Sequence, residues 1–425
     1  MKRTIAIPLS LLISVSTIGL LPLPVSGADP ILHNNYGVKL LEQGEVEKAI
    51  EQMEKAYSLF ALDPVLKKNL ATAYAIQGQK LLDHKAYAEA ADQFGKAETL
   101  FPDEPRYALL RGIAFTLASN FTMGRHELEK ARTLDGDTAE GLYFLGKIHY
   151  DSGETEQALV YWEKAAAIAP SDPFLSGMLE RMRRENAVEA RMGRGHSSRV
   201  IVSYDVGATA TGIALSVLDA LETAYNSVGA DLGYFPETRI PVILYTQKDY
   251  REVTRSPHWS AGLYDGKIRL PVGGLTEITP DLRATLRHEY THAVVRDLTK
   301  GNCPTWLNEG LAELQGRQEH NTPLVELVNA ARGGEIFSLK GLEGSFASLE
   351  GRQVRLAYEQ SYAVVNFMVA AYGWHRVRII LGNLGAGKQV ADAITLGLAD
   401  LGLDYDGVIG EWRQYLQREL SGMAQ

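Results

Sequence analysis

Four glycines set a period that restricts the first half of this chain to very few architectures. Gly37, Gly78, Gly112 and Gly146 are each followed twelve positions later by a small residue, Ala49, Ala90, Gly124 and Ala158. Four residues further on stand Met53, Phe94, Leu128 and Trp162, and three beyond those Ala56, Ala97, Ala131 and Ala165. Successive glycines lie 41, 34 and 34 residues apart. A unit of two helices with small residues at their closest approach cannot bury its own apolar face, so it needs a neighbour to complete its core. Residues 29–192 are therefore expected to stack four such units into an all-α solenoid with a concave surface. Phe174 to Arg191 reads as a polar capping helix. The first step is seven residues longer than the others, which predicts an extended helix or turn around Gln79 to Tyr87.

With Pro102 and Pro170 near the ends of their units, the pattern resembles the tetratricopeptide repeat. That resemblance implies a protein partner or peptide on the repeats, with a plain structural spacer as the alternative. Arg181, Arg183, Arg184, Arg191 and Arg194 make the end of the array basic and read as a solvated face. The Gly/Ser/Arg-rich stretch 193–198 reads as a linker, and 199–425 as a second domain.

In that second domain His288-Glu289-Tyr290-Thr291-His292 spells H-E-x-x-H inside one expected helix. Thr279 is a candidate N-cap, Pro280 suits the first helical position, Asp281 complements the first turn and Gly301 supplies a stop, so the helix is expected from about Pro280 to Lys300. Residues four apart share a helix face, so both imidazoles can reach one metal ion while Glu289 points at the water that the metal activates. Leu282, Leu286, Tyr290, Ala293 and Val294 form a separate apolar stripe that can face a core. A catalytic zinc takes three protein ligands and keeps one position open. Seventeen positions after His292, Glu309 sits in a second expected helix that begins at Pro304-Thr305, and it is the candidate third ligand. The alternative H-E-x-x-H-x-x-G-x-x-H pattern is excluded, because Val295 and Leu298 occupy the positions of its glycine and third histidine.

His-Glu-Tyr-Thr-His at 288–292 and Trp-Leu-Asn-Glu-Gly-Leu-Ala-Glu at 306–313 resemble the gluzincin metallopeptidases, specifically the peptidase MA-like proteins related to zinc aminopeptidase catalytic domains. The resemblance extends over about 200–420 and implies an α+β zincin-like metallopeptidase domain. It implies one Zn2+ held by His288, His292 and Glu309, with Glu289 as general base and a peptide or protein as substrate. Glu313 would orient a zinc-bound histidine; part of the group has Asp there, so the longer Glu is a departure. Tyr358, the better match, would stabilise the oxyanion, and Tyr362 one helical turn away could serve instead. Gly262, Leu263 and Tyr264 would belong to an edge strand to which substrate adds. Absence of a G-A-M-E-N-like run favours an endopeptidase over an aminopeptidase.

Independently of that likeness, Arg199 to Tyr204 and Ile240 to Thr246 read as strands, with a helix from Thr211 to Val228 between them. Ala261 to Leu270 reads as a strand or a tight hairpin around Asp265-Gly266. Gly382 to Lys388 matches G-x-x-x-x-G-K, but Gln389 replaces the required Ser/Thr, so a helix-ending turn is expected. His258 and His320 are secondary candidates for an oxyanion donor.

At the start of the chain, Lys2 and Arg3, the apolar run Ile5 to Leu23 and the small residues before Asp29 read as a secretory signal over 1–28. The expectation is export to a bacterial periplasm or the medium, with no integral membrane segment after cleavage. Cys303 is the single cysteine, which rules out an intrachain disulfide. A net charge of -9 and a pI near 5.7 speak against nucleic acid as partner. The rival functional class is an exported repeat scaffold whose peptidase-like domain binds peptide without cutting it.

Overall fold

A computed structural model describes residues 29–207, 211–255, 261–320 and 322–422. The signal segment and His258 lie outside the described residues. The chain divides into two units. One holds the described residues up to Ile148 together with Val160–Leu175, and the other holds His149–Leu159 and the described residues from Ser176 onward.

The first unit is built from antiparallel helix pairs: α1 (Pro30–Glu42) with α2 (Val46–Leu59), α3 (Pro64–Asp83) with α4 (Tyr87–Leu100), and α5 (Pro105–Leu117) with α6 (Phe121–Asp135). Most of α7 (Ala139–Asp151) and of α8 (Thr155–Ile168) completes it. The repeated glycines act by close approach. A Cβ on Gly37 would stand 2.8 Å from Met53, on Gly78 2.7 Å from Phe94, on Gly112 2.8 Å from Leu128 and on Gly146 2.5 Å from Trp162. Each large side chain therefore packs directly on the bare backbone of its partner helix, which is why the two residue types recur together. The long first step is explained by α3, which has 20 residues where α1, α5 and α7 have 13. Seven residues are nearly two helical turns, so the added length returns the helix to almost the same face.

The second unit contains a five-stranded mixed sheet and most of the remaining helices. Strands β1 (Gly193–His196), β2 (Val200–Tyr204), β3 (Ile240–Tyr245), β4 (Leu263–Tyr264) and β5 (Ile268–Pro271) lie in the order β1-β2-β3-β5-β4. The expected linker is corrected here: 193–196 is strand, because Gly193 to His196 pairs antiparallel with Tyr204 to Ile201. Strands β2, β3 and β5 run parallel, and β4 returns antiparallel through the Asp265-Gly266 turn to form the sheet edge. Helix α10 (Thr211–Leu232) connects β2 to β3, and α11 (Gln247–Thr254) follows β3.

One sheet face, with Val202, Val242, Leu244, Ile268 and Leu270, joins the core that α10 and α12 (Pro280–Leu298) complete. Helices α13 (Thr305–Gly316), α14 (Val325–Gly333), α15 (Arg352–Gly385), α16 (Val390–Gly397) and α17 (Tyr405–Gly422) follow. Helix α15 is kinked at Gly373, where φ is 80°. It ends in the P-loop-like stretch, which is a helix-ending turn: Gly387 has φ 80°, and the Asn302 amide donates to the carbonyls of Leu384 and Lys388, both at 2.9 Å. Among the described residues no helix is long and apolar enough to cross a membrane.

The opposite sheet face is covered by α9 (Pro173–Glu189), whose Val188 packs with Ile243 and Tyr245. Charged residues fill the rest of this contact. Arg269 donates to Glu189 Oε1 and Glu185 Oε2, each at 2.8 Å, and to Tyr150 Oη at 2.6 Å. Lys267 Nζ donates to Glu189 Oε2 at 3.1 Å and to Thr155 Oγ1 at 2.5 Å. Arg181, expected on a solvated face, pairs with Glu185 and Asp265 instead. Three cations thus meet three carboxylates in a contact where Lys267, Arg269 and Glu185 are fully buried. Burial disfavours charge on Glu189, but Lys267 and Arg269 outweigh it and pull this carboxyl down to about 2.

Candidate metal centre

Helix α12 begins as its sequence requires. The Thr279 hydroxyl accepts from the Leu282 N–H at 3.1 Å, Pro280 occupies the first turn, and Lys300 and Gly301 take positive φ just beyond the end. Leu286, Tyr290, Val294 and Val295 are buried in the core, which fixes the rotation of the helix and turns His288 and His292 towards α13. Helix α13 is anchored by buried Trp306, Leu307, Leu311 and Ala312. Gly310 lets it lie against α15, since a Cβ there would collide with the Ser361 carbonyl oxygen. Glu309 and Glu313 then face α12.

The three candidate ligands converge. His288 Nε2 and His292 Nε2 are 3.1 Å apart, and Glu309 Oε2 lies 3.7 Å from the first and 3.4 Å from the second. Among the described residues this is the one group of three metal-ligating side chains whose donor atoms lie within 4.8 Å of one another. Glu309 Oε2 is buried, and the imidazoles that face it stand at ion-pair distance without good hydrogen-bond geometry. A buried carboxylate oxygen pointed at two imidazole nitrogens suits a bound cation. Two nitrogens and one carboxylate oxygen form a donor set suited to zinc among other divalent ions. Burial and the neighbouring His292 hold His288 down to about 3. Burial also opposes charge on His292, but Glu309 outweighs it and lifts that ring to about 9.

Glu289, between the histidines, is buried, and burial pushes its carboxyl up to about 7. The edge strand runs directly over it. A Cβ on Gly262 would lie 2.8 Å from Glu289 Oε1 and 2.9 Å from Thr285 Cγ2, and the Tyr264 backbone N–H hydrogen-bonds the carboxylate. Gly262, just before β4, and the Tyr264 backbone are thus brought to Glu289, whereas Leu263 packs with Ile243 and Tyr245 on the other sheet face; β4 is the last strand of the sheet.

Glu313 Oε1 lies 3.5 Å from His288 Nδ1. Tyr358 comes to the same place: burial raises its hydroxyl above the ordinary tyrosine range, and the charges of Glu309, Glu289 and Glu313 raise it further. The Tyr362 ring carries the Arg317 guanidinium 4.4 Å from its centroid. His320 is tied to the Asp281 side chain on the surface. Two residues near the ligands went unassigned in the sequence, Asn308, which lies beside His292 and favours its charged form, and Arg317. The signal for Asn308 was its place next to a candidate ligand on α13, whereas Arg317 had only helical spacing from Glu313.

A helical repeat region followed by a mixed-sheet domain carrying this centre defines a repeat protein with a peptidase-like domain. The comparisons agree: residues 238–418 match the family model of the Peptidase MA superfamily, and residues 139–172 match that of the tetratricopeptide repeat. The chain thus carries a Peptidase MA superfamily domain preceded by tetratricopeptide repeats. A similar curated protein is the small glutamine-rich tetratricopeptide repeat-containing protein 2 of Mycosarcoma maydis, 26% identical over 126 residues, which are 28% of this chain and 36% of that protein. The chain therefore spans about a third of that relative's length. Among solved structures, a thermophilic tetratricopeptide-repeat protein of Thermus thermophilus is 19% identical, with a TM-score of 0.25, covering 36% of this chain and 98% of that one.

Proposed function

We propose that the second unit is a zinc-dependent metallopeptidase, an endopeptidase, and that the repeats dock its protein substrate or a partner protein. The observation that carries this reading is the convergence of His288, His292 and Glu309 on one point, with Glu289 beside it under an edge strand. Held by those three ligands, zinc would supply Lewis acidity towards water and the scissile carbonyl. Glu289 takes the proton from the attacking water and hands it to the leaving amine, a task suited to a carboxyl that burial has shifted towards neutrality. The Tyr358 hydroxyl donates to the oxyanion as it forms. The substrate backbone pairs with β4 as a further strand, which sets the scissile bond over Glu289.

We also propose that the protein is exported, on the strength of the basic, apolar and small-residue succession over 1–28. Zinc content and casein cleavage, measured on wild type, Glu309→Ala and Glu289→Gln, test the enzymatic reading. The expectation is about one zinc per wild-type chain with cleavage, loss of both in Glu309→Ala, and retained zinc without turnover in Glu289→Gln. Wild type that takes up no zinc would favour the peptide-binding scaffold instead.

A further inference from the structure

We propose that Arg317 is a positioning residue of the metal centre: it fixes one oxygen of Glu313, leaves the other for His288, and so holds a histidine ligand ready for zinc. This rests on the metallopeptidase reading above. Glu309, Glu313 and Arg317 follow one another at four-residue spacing along α13 and just beyond its end, so they share one face. Arg317 Nε donates to Glu313 Oε2 at 3.1 Å, while Glu313 Oε1 faces His288 Nδ1 at 3.5 Å. The carboxylate is a bridge with one end on each partner.

An exposed pair at this spacing would contribute little, because two long side chains lose freedom in holding each other. Arg317 is already immobilised by other contacts. Its Nη1 donates to the Thr322 carbonyl at 2.5 Å, its guanidinium stacks on Tyr362 at 4.4 Å, and its side chain is only 9% exposed. A planar, stacked, hydrogen-bonded guanidinium is a fixed anchor, which a lysine ammonium cannot reproduce fully. The anchor also answers the departure at 313. A glutamate has one more rotatable bond than an aspartate, and the tie to Arg317 removes that freedom on the side away from the histidine. The Tyr362 ring is the platform on which Arg317 rests.

The test is Zn2+ affinity by competition with a chromogenic chelator, in the full-length protein, for wild type, Arg317→Met, Arg317→Lys, Glu313→Gln and the Arg317→Met/Glu313→Gln double variant. Groups that orient a metal ligand are worth about 10-fold or more in affinity. The expected result is a loss of about 10-fold for Arg317→Met, partial recovery in Arg317→Lys, and a double variant no weaker than Glu313→Gln alone. Non-additivity is the readout that a merely structural arginine would not give. Wild-type affinity in Arg317→Met, or losses that simply add in the double variant, would overturn the proposal while leaving the metal centre standing. A wild type that binds no zinc would instead overturn the reading on which it rests.

Discussion

At the scale of single residues, the closest meeting in the second unit with consequences for chemistry is that of Gly262 with Glu289. The strand passes so near the carboxylate that a methyl group would collide with Oε1, Cγ and Thr285. Gly262→Ala is expected to push Glu289 aside and lower kcat/KM by at least about 10-fold, the equivalent of about 1.4 kcal/mol, with zinc content unchanged. Peptidase kinetics beside metal analysis check this. Tyr358→Phe is expected to lower kcat by about 100-fold, as loss of an oxyanion donor does, whereas Tyr362→Phe keeps the ring under Arg317 and most of the turnover. Equal effects of the two would contradict the assignment. The convergence of the candidate ligands was legible in the sequence because helical spacing turns a pattern of letters into a shared face. Between Tyr358 and Tyr362 the sequence favours Tyr358 by likeness alone, since residues one turn apart are distinguished physically only by what lies opposite them.

At the scale of elements, β5 shows where sequence reading reaches its limit. Lys267, Ile268, Arg269 and Leu270 alternate charged and apolar, a pattern that normally sends the charges to water. Here the charges are fully buried, because α9 covers that face and brings Glu185 and Glu189. Nothing local records a partner so far along the chain, as the separation of 80 positions between Glu189 and Arg269 illustrates. Removing one member should be severe, since the others stay buried: Glu189→Gln is expected to cost about 3–5 kcal/mol in urea unfolding. The pH dependence follows from the depressed Glu189 carboxyl. A folded value near 2 against an ordinary 4.5 adds stability that is fully present above pH 4.5 and is lost as pH falls towards 2. Acid unfolding of wild type should therefore steepen across that interval, and Glu189→Gln should flatten it.

For the molecule as a whole, the repeat period and the zinc-type motif give the two-part architecture from sequence, and the packing divides the chain differently from its composition. Sequence composition set the second domain at 199, whereas His149–Leu159 and the chain from Ser176 belong to the second unit. Tyr150, Thr155, Glu185 and Glu189 supply the partners of Lys267 and Arg269. A chain starting at Arg199 is expected to expose those cations' unpaired face and lack a cooperative melting transition, while one starting at Ala139, which keeps α7 and α8 whole, should melt cooperatively; near-ultraviolet circular dichroism on heating distinguishes them. The consequence reaches into ancestry. A recombination event that exchanged whole repeats at their natural turns would carry off half of a salt-bridged seam and strand its complement. Crossovers that survive in a lineage of such proteins should fall upstream of residue 139, so that the last repeat is inherited with the peptidase-like part.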